Sequence, residues 1–259
     1  VVEGEDTSPA DIELSYVEFY AGIGGWTMAI EAAVRRMAMD DIKFNLRRIA
    51  ALDHSDLCTK TFNHNFRSDP KTCDIQRLTA KQVEDWNATI WAMSPPCQPH
   101  TRQHSNQAED LEDPRSASFL HLIDLVAKMK AERLPKLLFL ENVVGFESSK
   151  SFQRWCQGLS GRGFKICSFH LTPTQVGLPN DRPRYFCMAY RPDAETRPMY
   201  SAYARAKPED IHRVIPELGV EEEGSDNNLP CISTFLDDEV DQDSLKVPEK
   251  AFKGNAAWC

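Results

Sequence analysis

Tyr16-Val17-Glu18-Phe19-Tyr20-Ala21-Gly22-Ile23-Gly24-Gly25 runs from a mostly apolar pentad into a glycine-rich turn, and Trp26 to Met39 follows. The pentad reads as a first strand. The next segment reads as a helix, because Trp26, Ala29, Ile30, Ala33, Val34 and Met37 recur close to the 3.6-residue period. Strand, glycine turn and helix in that order open a doubly wound α/β sheet. The glycines spare the turn a Cβ, so a ligand can approach the backbone closely. Thr27 stands where the third glycine of the dinucleotide fingerprint would fall, which leaves two readings, a nucleotide-like ligand or a plain tight turn.

Downstream, Arg48-Ile49-Ala50-Ala51-Leu52 reads as the second strand and ends in Asp53. A carboxylate there can accept two hydrogen bonds from a ribose diol; capping a helix is the competing use. His54 can lie against an adenine ring or sit on the surface at a helix start. Asp74 can accept from an exocyclic amine or cap the helical stretch from Thr79 to Trp86. Thr89 to Met93 is an apolar run that reads as a buried strand, and Pro95, Pro96 and Pro99 surround Cys97 in Ser94-Pro95-Pro96-Cys97-Gln98-Pro99. Those prolines fix φ and remove backbone donors, so neither a helix nor a central strand continues. Cys97 is thereby held beyond a strand end, where open α/β sheets bind ligands.

Gln103 to Glu112 is polar and aperiodic and reads as a mobile active-site loop. Asp113-Pro114 supplies an N-cap and a first-turn proline for a helix to about Ala131, with Phe119, Leu122, Ile123, Val126 and Met129 on its core face. Leu137 to Leu140 is a wholly apolar strand that runs into Glu141-Asn142-Val143, and a carboxylate at the edge of a buried strand is costly without a partner or a task. A helix near 151–159, a strand over 164–171, a turn over 173–180 and a strand over 185–190 follow. The link between the last two strands is too short for a crossover helix, which makes them antiparallel. From Arg191 the texture changes to prolines and charge runs such as Glu221-Glu222-Glu223. The division is a polar leader over 1–15, a main domain over 16–190, and an acidic linker with the start of a smaller region over 191–259.

A chain of 259 residues, 41% hydrophobic and 27% charged, has the composition of a globular α/β domain with a small appendage. The acidic start, Val1 to Glu13, lacks the basic and apolar regions of a signal peptide, and no apolar run is long enough for a bilayer. The expected location is cytoplasmic, extending to the nucleus. Eight scattered cysteines without CxxC pairs fit reduced thiols. The net charge of −9 is unevenly placed: residues 199–259 carry 13 acidic and 6 basic side chains, leaving about −2 for residues 1–198. A polyanionic partner must therefore be met by local arginines and lysines rather than by an overall basic field.

The glycine turn, Asp53, Pro95-Pro96-Cys97, Glu141-Asn142-Val143 and the pair Arg182/Arg184, in that order, resemble the cytosine-5 methyltransferases across residues 16 to about 190. Ser94 to Pro99 with Thr101-Arg102, and Glu141-Asn142-Val143-Val144-Gly145-Phe146-Glu147, are most similar to the aspartate-tRNA cytosine-5 methyltransferase branch, which is built like a DNA methyltransferase. His100 stands where that branch usually has a phenylalanine. The resemblance implies a Rossmann-like, S-adenosylmethionine-dependent sheet and a tRNA substrate, with DNA as the alternative. It implies that Cys97 attacks carbon 6 of cytosine, that Glu141 meets ring nitrogen 3, and that Arg182 and Arg184 hold pyrimidine and phosphate. It also implies that Tyr20, Ile23, Gly24, Gly25, Asp53, His54, Asp74, Ile75, Ser94 and Pro96 line the S-adenosylmethionine pocket. The family's two C-terminal motifs, which complete the recognition region and pack a helix beside the cofactor, do not occur within residues 1–259. A chain that binds tRNA or cofactor without turnover is the non-enzyme alternative. Cys97-x-x-His100-x-x-x-His104 has metal-like spacing, but no second cluster closes a tetrahedral site, and the expectation is no metal.

Overall fold

The computed structural model describes residues 12–38, 44–67, 71–96 and 110–192, together with 202–205, 207, 210–216, 219–220, 229–231 and 234. In chain order the main elements are β1 (Ile12–Phe19), α1 (Gly25–Ala38), β2 (Phe44–Asp53), α2 (Asp56–Phe66), β3 (Lys71–Thr72), α3 (Ala80–Trp86), β4 (Ile90–Met93), α4 (Ala117–Lys128), β5 (Leu137–Val143), α5 (Lys150–Gly161), β6 (Lys165–Leu171) and β7 (Arg184–Tyr190). The seven strands form one sheet in the order β3-β2-β1-β4-β5-β7-β6. β1 pairs in parallel with β2 and β4, and β4 with β5; β7 runs antiparallel to both β5 and β6, as the short link predicts. Successive strands move outward in opposite directions from β1 and β4, so the crevice at the carboxyl ends of those two strands is the switch point where such sheets take ligands.

Side chains alternate across the sheet and sort the core. Val17, Phe19, Trp91, Met93, Leu138 and Leu140 face one side and pack with Phe119, Leu122, Val126, Phe152, Trp155 and Leu159 of α4 and α5. All five residues predicted for the core face of this helix are buried, four of them in α4 and Met129 as its C-cap. On the other side, Ala51 and Phe62 pack with Ala21 and Phe66, while Cys167, Phe169, Met188 and Tyr190 pack with Tyr203 and Ile215. Residues beyond 191 thus return to the sheet. Ala204 and His212 bridge to Cys167 and Phe169, so they cover part of the free edge of β6.

α1 forms where its period predicts; Thr27 is its buried residue, and Met28 is 60% exposed and Met37 41%. Two local readings are corrected. Asp113-Pro114 does not open α4. The Asp113 carboxylate accepts from the Arg115 N–H and folds a turn, and the helix begins only at Ala117 and ends at Lys128. The polar stretch read as a loop to Glu112 is anchored before its end: Asp110 is buried and its Oδ2 accepts the Ser151 N–H at 2.8 Å, a carboxylate at the N-terminus of α5.

Candidate active site

Glu18 occupies the last turn of pleat in β1, 1% exposed, although it lies in an apolar strand. Its carboxylate accepts from the Trp26 and Thr27 N–H groups at 3.0 and 3.1 Å and from the Thr27 hydroxyl at 2.6 Å. Those are donors that the first turn of α1 leaves unpaired. Burial pushes the Glu18 carboxyl up, against the pull of these hydrogen bonds and the Arg48 charge. The glycine turn is thus fastened to its strand by a side chain the sequence reading passed over. Its signal was an acid inside an apolar strand, the same signal that drew notice to Glu141.

The turn's glycines have different reasons. Gly24 has φ +96°, and a Cβ on it would lie 2.1 Å from the Phe66 ring, so its neighbour is α2 rather than a ligand. Gly25 opens α1 with open space where its Cβ would be. Ile23 is 61% exposed. The Gly22 N–H donates to Asp53 Oδ2 and the Ser55 N–H to Asp53 Oδ1, both at 2.9 Å. Asp53 therefore links the first two strand ends. A carboxylate has about four acceptor sites, so these two bonds leave lone pairs for a diol. His54 is exposed beside it, with Nδ1 3.7 Å from Asp53 Oδ1. Asp74 caps the short 3₁₀ turn Ile75–Arg77, accepting from the Gln76 N–H, while Thr79 caps α3. Ile75 is a core residue, 4% exposed.

At the carboxyl ends of β1, β4 and β5 lies a cavity of about 280 Å³. Tyr20, Gly25, Ser94 and Glu141, four of the predicted site residues, line it together with Glu18, Trp26 and Phe186. Tyr20 sits at φ +56° and donates its hydroxyl to Ser118 Oγ at 3.1 Å, a non-glycine residue held in a costly conformation. The Trp26 indole N–H donates to Ser94 Oγ at 3.0 Å. Asn142, buried at the end of β5, donates from Nδ2 to the Pro95 carbonyl at 3.2 Å and accepts the Val143 N–H at 2.9 Å. Two hydrogen bonds therefore fix the Ser94-Pro95 approach to Cys97. Pro96 follows them and is half-buried. Cys97, His100 and His104 lie outside the described residues.

Glu141 is joined to Arg184 by an ion pair, Nε to Oε1 at 3.1 Å, both side chains mostly covered. Antiparallel register produces it: Glu141 faces Phe186 on β7, and Arg184 is the next residue on the same face. Arg182 is exposed and joins through its backbone, its N–H donating to Thr172 Oγ1 at 3.2 Å. The structure thus brings Arg184, but not the Arg182 side chain, to Glu141.

A family model described as C-5 cytosine-specific DNA methylase matches residues 14–253. The chain belongs to that family. Among C-5 cytosine methylases it is similar to the tRNA (cytosine(38)-C(5))-methyltransferase of Bos taurus, 27% identical over 283 residues that cover 92% of this chain and 69% of the bovine one. It is similar too to a DNA (cytosine-5)-methyltransferase of Dictyostelium discoideum, 33% identical over 69% of this chain and 45% of that protein. The crystal structure of the Dnmt2 methyltransferase of S. pombe superposes with a TM-score of 0.65 at 26% identity, covering 90% of this chain and 62% of that one. The chain thus spans about half to two thirds of the length of the proteins it matches.

Proposed function

We propose that the chain carries the catalytic region of an S-adenosylmethionine-dependent tRNA (cytosine-5) methyltransferase, acting on an anticodon-loop cytosine, with aspartate tRNA the first candidate. One observation carries this most: Glu141, ion-paired to Arg184, shares a single cavity with the glycine turn and with Ser94 of the cysteine loop. Relatives named for tRNA methylation favour RNA over DNA.

The donor set suits the cofactor. The cavity lining offers carboxylates and the rings of Tyr20, Trp26 and Phe186 and, among the described residues, no lysine or arginine, which favours a sulfonium cation over a phosphate. Asp53, outside the cavity lining at the end of β2, keeps acceptor sites for ribose hydroxyls, while Ser94 and Gly25 border the cavity itself. When bound, S-adenosylmethionine supplies an electrophilic methyl group. The protein's own part is to make carbon 5 of cytosine nucleophilic. The Cys97 thiolate forms a bond to carbon 6, and the ring electron pair moves toward carbon 5. Glu141 holds ring nitrogen 3 by hydrogen bond or proton, where charge develops. Arg184 orients Glu141 and reaches toward the pyrimidine, a use suited to its guanidinium fork. After methylation the carbon 5 proton leaves to a base, the electron pair returns to the ring, and the carbon 6–sulfur bond breaks. The base must leave its stack, which costs less in a loop than in a duplex.

The test is transfer of labelled methyl by this chain and its Cys97→Ala variant to total tRNA and to duplex DNA in parallel. Label in tRNA that requires Cys97 supports the proposal. Label confined to DNA overturns the substrate, and no label in either overturns turnover by this chain and leaves a binding protein.

A further inference from the structure

We infer that a trough along the outer face of α5, lined by none of the residues of the cavity above, is a contact surface for the sugar-phosphate backbone of the substrate tRNA; this rests on the tRNA reading. The trough holds about 840 Å³, three times the volume of the candidate cofactor cavity, and the mechanism makes no use of it. α5 shows why it exists. Phe152, Trp155 and Leu159 turn one stripe of the helix into the core, while Gln153, Cys156, Gln157 and Ser160 form a second stripe that lines the trough. Lys165, Arg205 and Lys207 close it on the other side.

The lining selects an anionic, hydrogen-bonding ligand. Lys165 and Lys207 are exposed, and neither forms an ion pair among the described residues. The Arg205 guanidinium lies over the Phe152 ring at 5.8 Å and donates to Ser168 Oγ at 3.2 Å, so it is held as a fixed positive wall. The one carboxylate in the lining among the described residues, Glu147, is already engaged: Oε1 pairs with His170 Nε2 at 2.9 Å and Oε2 accepts the Gly145 N–H at 2.8 Å. Asp210 stands near and accepts the Lys207 N–H. In a chain with net charge −9, a trough lined, among the described residues, by three cations and one paired acid is a place where a polyanion is tolerated.

Its position points to the substrate's flank. Register pairs Leu171, the last residue of β6, with Arg184, and Lys165, the first, with Tyr190. The trough therefore has one end at Glu147, whose partner His170 precedes Leu171, and the other at Lys165, which is about 20 Å from Leu171 along β6. A strand whose cytosine is held at Glu141 and Arg184 can continue along it.

The experiment measures binding of an unmodified tRNA transcript and of duplex DNA against salt for three proteins. They are the wild-type chain, Lys165→Gln/Lys207→Gln, and Lys60→Gln/Lys71→Gln, which removes equal charge from α2 and β3 at the opposite sheet edge. Loss of two phosphate contacts lowers the salt slope for tRNA by about 1.4 to 1.8, which is about 25- to 60-fold in affinity at 0.1 M salt. That change in the trough variant, absent from the control variant and smaller for duplex DNA, is the expected result. An unchanged slope in the trough variant of a chain that methylates tRNA overturns the trough and leaves the proposed function standing. Equal losses in both variants, or equal losses for tRNA and DNA, reduce it to non-specific charge and overturn it as well. A wild-type chain that neither binds nor methylates tRNA removes the proposed function, and the trough inference falls with it.

Discussion

Replacing Asn142 by alanine separates the fastening of the cysteine loop from the chemistry attributed to it. The Asn142 amide makes two hydrogen bonds in a buried position, one to the Pro95 carbonyl and one from the Val143 N–H. Proline already denies this loop backbone donors, and among the described residues Asn142 is the donor that reaches the Pro95 carbonyl. Each buried group left without a partner costs about 1–3 kcal/mol. Allowing water to reach the half-buried Val143 end, Asn142→Ala loses about 2–3 kcal/mol of stability, equivalent to about 4–12 °C in Tm for a domain of this size. The effect on rate is larger. Cys97 follows Pro95 by two residues, and a displacement of about 1 Å at a reacting atom costs about 10²-fold. Thermal unfolding and single-turnover methyl transfer to tRNA, run on the same preparations well below Tm, read the two effects apart. S-adenosylmethionine affinity should change by less than about threefold, because Asn142 does not line the cavity. An Asn142→Ala protein with wild-type Tm and wild-type single-turnover rate would refute the reasoning, since both depend on the same bond.

Glu141→Gln keeps the shape but not the charge opposite Arg184; the pair is partly exposed, so stability should move by less than about 1 kcal/mol while methyl transfer falls about 10²-fold or more. Equal losses in both would reduce the pair to a structural tie. Gly24→Ala sets a Cβ against Phe66 at positive φ and should cost about 1–3 kcal/mol in chemical denaturation, with partial recovery in Gly24→Ala/Phe66→Leu; no recovery would locate the strain in the backbone alone. Glu147 is pushed up by burial but pulled further down by its hydrogen bond from His170 and by backbone N–H groups, so its carboxyl lies below the usual range. A folded-state pKa below the unfolded one gives stability that is complete above about pH 4.5 and is lost as pH falls through the folded value. Denaturation of wild type and Glu147→Gln between pH 3 and 7 should therefore converge at the acid end, and parallel curves would contradict the assignment.

The succession of elements along the chain and the antiparallel end of the sheet were legible because they rest on local signals. Period-3.6 stripes, wholly apolar tetrads and short links specify helices, buried strands and antiparallel pairing without knowledge of what lies across the molecule. α4 with its C-cap shows this well, since the five residues predicted for its core face are all buried. The same signal placed α1 but did not show how little of it the fold covers, because a helix's period says which face is apolar and not what meets it. The misplaced start of α4 has a related cause. Asp113-Pro114 is a good helix opening in isolation, but the Asp113 carboxylate is captured by Arg115 two residues later, and the first helical turn forms beyond it.

At the site, the residue types that carry unusual chemistry were visible one by one, whereas the side chains that hold them in place were not. Glu141 stands out because ionised groups are rare at the ends of buried strands. Asn142 and Trp26 do not, because each acts through one long-range bond, to Pro95 and to Ser94, that exists only once β4, β5 and α1 are side by side. Arg184 lies between these cases: an arginine before a strand is unremarkable, and only the antiparallel register of β7 against β5 sets it on the face of Glu141 while Arg182, two residues earlier, stays outside. A one-residue slip of that register would turn Arg184 to the opposite face and leave Glu141 without its cation. The antiparallel pairing of β5 with β7 therefore decides whether the carboxylate at the centre of the proposed chemistry is paired, and the short link from β6, with Thr172 holding the Arg182 N–H, fixes where β7 begins.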